Sequence, residues 1–166
     1  MFDLKPLHAD AVPAALARAE RYRLLNEPSE AESICLDILA VNPDDQQARI
    51  MLLLALTDQF DAAAGAHNAA RDALAGLTSA YDRAYYAGLI AERLAKSRFA
   101  RAGAAASGGV YDSLIEAMEH FERAEALRQH GNDDARLRWN ACVRFIQRHP
   151  QLRPSVEERR EIEMLE

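Results

Sequence analysis

Proline, glycine and asparagine punctuate this chain at short intervals, and between the marks apolar residues recur three and four positions apart. The stretch after Pro28 shows the pattern: Ala31, Ile34, Cys35, Ile38 and Leu39 fall at steps of three, one, three and one, and Asn42 and Pro43 then stop the run. Such a period puts one apolar stripe on a helix, and such punctuation ends helices within a few turns. The chain is therefore expected to fold as short helices paired into antiparallel hairpins. Composition agrees, with 33 Ala against 14 Val, Ile and Thr together, a ratio that favours helix over sheet. An all-α fold follows, and 166 residues suffice for one domain with its own core.

Seven helices are expected. The first spans about Ala11 to Leu25, with Asp10 as N-cap and Leu16, Ala19 and Tyr22 on its stripe, and the second follows Pro28. The third, about Asp44 to Asp58, is apolar nearly all round and should be covered on several sides. The fourth, about Phe60 to Ala75, is rich in alanine, and the fifth starts near Ser79 and reaches Ser97 or beyond. Residues Arg101 to Val110, RAGAAASGGV, read as a mobile glycine- and alanine-rich insertion. The sixth helix spans about Tyr111 to Arg128. Gly131 and Asn132 separate it from the seventh, Asp133 to Arg148, which carries Trp139, Cys142, Val143 and Ile146 on one stripe. Residues 1–150 thus form one helical domain. Residues 151–166 form a charged tail whose Ser155 and Glu158 match a capping box for a short helix.

Charge and cysteine usage exclude several function classes. A net charge of −6 opposes non-specific nucleic-acid binding. No stretch is long and apolar enough to span a membrane, and the first ten residues hold Asp3, Lys5, His8 and Asp10 where a signal peptide would be apolar, so a cytoplasmic location is expected. Cys35 and Cys142 stand 107 residues apart within helical stripes, which points to two buried, reduced thiols. Phosphate loops, nucleophile elbows and zinc-type helix motifs do not occur, so the expectation is a non-enzyme with no cofactor and no metal. His67 alone among five histidines falls at a position expected to pack, in a slot suited to an aromatic ring.

Aligning the second helix of each pair exposes a repeat. Ala31, Cys35 and Ile38, then Ala63, His67 and Ala70, then Ala117, Phe121 and Ala124 share the offsets zero, four and seven. The segment EAESICLDILAVNP from Glu30, followed by two aspartates, resembles the second half of a tetratricopeptide repeat; Ala19, Tyr22, Gly88 and Trp139 match first-helix positions of that family. Cys35 stands where the family has an aromatic residue, and Ile38 where it has a small one. The resemblance spans roughly residues 11–148. It implies a right-handed superhelix of about three hairpins with the last helix as cap, the third hairpin carrying the insertion.

The resemblance further implies a binding module whose concave wall, made by the first helices, holds a partner peptide or helix. By family register the wall is lined by Leu16, Glu20 and Arg23; by Tyr85, Leu89, Glu92 and Arg93; and by Asn140, Arg144 and Arg148. Arg23, Arg93, Arg144 and Arg148 together would favour an acidic peptide or a C-terminal carboxylate. The lysine- and asparagine-based clamp with which some members hold chaperone C-termini is not expected, since the chain has two lysines. An alternative expectation is a structural or regulatory subunit acting through self-association or a permanent complex, by way of the convex side or the Arg101 to Val110 insertion; the apolar third helix further suggests a homo-oligomer in which another subunit completes some of the surface.

Overall fold

A computed structural model describes residues 2–103, 107–152 and 154. Among them it shows seven α-helices and no strand: α1 Val12–Leu24, α2 Pro28–Val41, α3 Gln46–Thr57, α4 Ala66–Ala75, α5 Ala80–Ala102, α6 Ser107–Leu127 and α7 Asp134–Arg148. None is long and apolar enough to cross a membrane. The chain divides into two compact units, Met1–Thr78 and Ser79–Glu166.

In the first unit α2 packs against both α1 and α3, and α3 against α4. The stripe Ala31, Cys35 and Ile38 is wholly buried, as are Ala19 on α1 and Ala48, Leu53 and Ala55 on α3. Small residues at these crossings let the helices approach closely while Ile38 and Leu53 fill the space between. The nearly all-round apolarity of α3 is explained by its contacts with α1, α2 and α4. Its start is fixed by Asp45, whose carboxylate accepts the Ala48 N–H at 2.9 Å. Gln46 ties the far end of the unit by accepting the Thr78 N–H at 2.9 Å.

The second unit is a long hairpin of α5 and α6 with α7 laid against α6. Val110, Leu114, Ala117, Phe121 and Ala124 are all wholly buried, a continuous stripe along α6. Gly88 on α5 makes the crossing close: a Cβ there would come within 2.7 Å of the Phe121 ring and 3.0 Å of the Ala117 carbonyl oxygen. Ser79 caps α5 by accepting the Asp82 N–H at 3.2 Å, and Asn132 accepts the Asp134 N–H at 3.0 Å at the head of α7.

Three expectations are corrected. Asp10 does not cap α1; it lies in a short 3-10 turn, Ala9–Ala11, and Ala11 stands at the cap. α4 begins at Ala66 rather than near Phe60, because the chain turns through residues 58–64 and Gly65 adopts a left-handed φ of 90°. Ala63 is therefore exposed, and Ala66, Ala70 and Ala73 do the packing expected of Ala63, His67 and Ala70; His67 is half-buried, edge-on to Phe60 at 5.8 Å. The segment Arg101 to Val110 is not one loop: Arg101 and Ala102 finish α5, and Ser107 to Val110 open α6 because Val110 extends its buried stripe. Leu152 is buried and packs in the core of the second unit. The expected tail helix lies outside the described residues.

Candidate functional site

The helix boundaries expose a sorting of charge. α5 carries five Arg and Lys against two Asp and Glu, and α7 four against one; α6 carries one against five. In the first unit α1 has three against one and α2 none against three. A chain of net −6 thus concentrates positive charge on its odd-numbered helices. Acidic α6 neutralises one flank of α7: Arg136 is hydrogen-bonded to Glu125, and the Trp139 indole N–H donates to Glu122 Oε1 at 3.1 Å.

The other flank of α7 meets α5 in a group of charged and aromatic side chains. Glu92 on α5 is fully buried. Its Oε1 accepts from Lys96 Nζ at 2.5 Å, one turn along the same helix, and its Oε2 lies 3.6 Å from Arg138 Nη1 on α7. Lys96 and Arg138 each keep about a third of the side chain exposed, 35% in both cases. Burial opposes the charge on Arg138, but Glu92 and the neighbouring Tyr85 hydroxyl outweigh it and push its pKa up. Aromatic rings continue the seam. Lys96 stands 5.5 Å from the Phe145 ring centre, Phe99 meets Phe145 edge-on at 5.5 Å, and His149 lies 4.6 Å from Phe99. Tyr85 stacks on Tyr81 at 5.8 Å and touches Phe121. Beneath them the Cys142 thiol is pushed up to about 12, chiefly by burial and then by Glu92. It is a packing group at neutral pH rather than a nucleophile.

The structure distributes the residues expected to line the wall. Tyr85 is half-buried in the seam, and Arg93 is half-buried on α5. Arg144 and Arg148 are exposed, one turn apart on α7. Leu89 and Glu92 are not surface residues: Leu89 is an interior apolar side chain, and Glu92 is drawn inside by its two cations. Asn140 points elsewhere, lining a cleft with Glu122, Glu125, Arg136 and Trp139 on the α6 side of α7. In the first unit Leu16 is half-buried, Glu20 is exposed, and Arg23 is engaged by Asp58 at 2.6 Å.

Lys96, Arg138 and Phe145 belong to the site although the family register does not select them. Two signals in the sequence point to them: the Glu92–Lys96 spacing of four on one helix, and the charge count per helix. Among the described residues no group of three or more His, Cys, Asp and Glu is placed to hold a metal ion. No protein-family model, curated protein or solved structure matches the chain.

Proposed function

We propose that this chain is a non-catalytic, tetratricopeptide-like binding module that holds an acidic peptide or helix of a partner protein against its basic helices. The observation that carries this reading is the charge sorting in the second unit. There α5 and α7, which touch each other, are basic and bear half-exposed Lys96 and Arg138 beside Phe145 and Tyr85, with exposed Arg144 and Arg148 further along α7, while α6 is acidic. Guanidinium groups engage carboxylates through paired N–H donors, and nearby rings supply apolar contact area, which together suit an acidic segment with apolar side chains. The sorting also gives orientation, since the acidic α6 face repels the same ligand.

The test is fluorescence anisotropy of glutamate-rich peptides bearing scattered leucine and phenylalanine, with lysine-rich counterparts as controls. The expected result is retention of the acidic set only, falling at least tenfold for the doubly reversed Arg144→Glu/Arg148→Glu variant and weakening with added salt. Equal binding by wild type and reversed variant, at unchanged helicity, would remove the reading.

A further inference from the structure

Glu92 is an unusual neighbour for a site that takes acidic ligands. It is a carboxylate, it is wholly buried, and it sits directly beneath the two cations that such a ligand would seek. Its two oxygens are unequally used. Oε1 holds Lys96 at 2.5 Å, whereas Oε2 has no hydrogen bond and faces Arg138 Nη1 at 3.6 Å, beyond hydrogen-bonding reach. Arg138 therefore feels the carboxylate without being consumed by it, and its five-donor fork stays partly open to solvent. A buried carboxylate stripped of both cations is strongly disfavoured, so an incoming acid cannot take Lys96 and Arg138 together. The loosely held one is exchangeable and the tightly held one is not.

We infer that Glu92 is a built-in competitor for acidic ligands: an internal carboxylate that keeps Lys96 for itself and shares Arg138 with the carboxylate of a partner peptide, so that only a multiply charged segment binds. This rests on the acidic-partner reading above and adds its threshold. A single carboxylate offers Arg138 little more than Glu92 already does. A run of them also engages Arg144 and Arg148 and overcomes the repulsion from Glu92.

The experiment is titration calorimetry of an octaglutamate peptide into wild type, Glu92→Gln, Lys96→Ala and the Lys96→Ala/Glu92→Gln double variant. Glu92→Gln removes the internal charge and is expected to tighten binding about tenfold. Lys96→Ala is expected to weaken it, because Glu92 then draws Arg138 fully inward, and adding Glu92→Gln is expected to restore it. Binding by wild type with no gain in Glu92→Gln overturns the competitor and leaves the acidic-partner reading standing; no binding by any variant overturns both. Should Glu92→Gln not fold, the carboxyl carbon resonance of Glu92 in the wild-type protein decides: a shift on saturation with octaglutamate supports sharing of Arg138, and an unmoved signal refutes it.

Discussion

Both units tie a basic helix to the next odd-numbered helix with an ion pair, and they do so in opposite ways. In the first, Arg23 on α1 meets Asp58 just past α3 at 2.6 Å, with a fifth to a quarter of each side chain exposed. In the second, Glu92 meets Lys96 and Arg138, one anion against two cations, with the anion wholly buried. In the first, both partners keep some contact with water, so removing one leaves the other able to hydrate. The second leaves a net positive charge at the surface and an anion that tolerates no loss of its partners. The same device is a surface contact in one unit and a structural commitment in the other.

The largest expected effect sharpens that contrast. Lys96→Ala/Arg138→Ala should lower stability by about 3–5 kcal/mol in urea melts at neutral pH, because Glu92 is left buried and unpaired. Arg23→Ala should cost about 1 kcal/mol or less. Equal losses in the two variants would break the comparison. A smaller effect concerns the α5–α6 crossing: Gly88→Ala should cost about 1–3 kcal/mol, since the new methyl meets both the Phe121 ring and the Ala117 carbonyl oxygen. The smallest concerns the first unit. Ala63→Leu should fall within about 0.5 kcal/mol of wild type because the position is exposed, whereas Ala31→Leu at a wholly buried crossing should cost about 1–3 kcal/mol. A large loss for Ala63→Leu in thermal melts would return α4 to the register that its alanines suggest.

That register shows where the sequence is readable and where it is not. The stripes of α2 and α6 can be found by eye because Cys35, Ile38, Leu114 and Phe121 are large enough to mark a phase, and all four are buried. Residues 62–64 are three alanines in a row, which carry helix propensity but no phase; the turn at Gly65 outweighs them. Glycines misled in the other direction. Gly108 and Gly109 read as loop, yet they lie in the first turns of α6, held there by the burial of Val110 beside them. For the site, the basic character of α5 and α7 is visible in the letters. Which arginine faces α5 is not, because Arg138 and Asn140, two residues apart, lie on nearly opposite sides of α7. A repeat register uncertain by that much exchanges the seam for the far cleft. Glu92 shows the same limit: its pairing with Lys96 is local and legible, while its burial depends on where α7 lies.

The one tryptophan of the chain, Trp139, belongs to the second unit, half-buried on α7 with its indole bound to Glu122 of α6. Its emission consequently reports on that unit alone, whereas far-ultraviolet ellipticity sums over the helices of both units. Overlaying the two signals in a single denaturant titration separates the halves without cutting the chain: superimposable curves mean one cooperative transition, and displaced curves give each half its own midpoint.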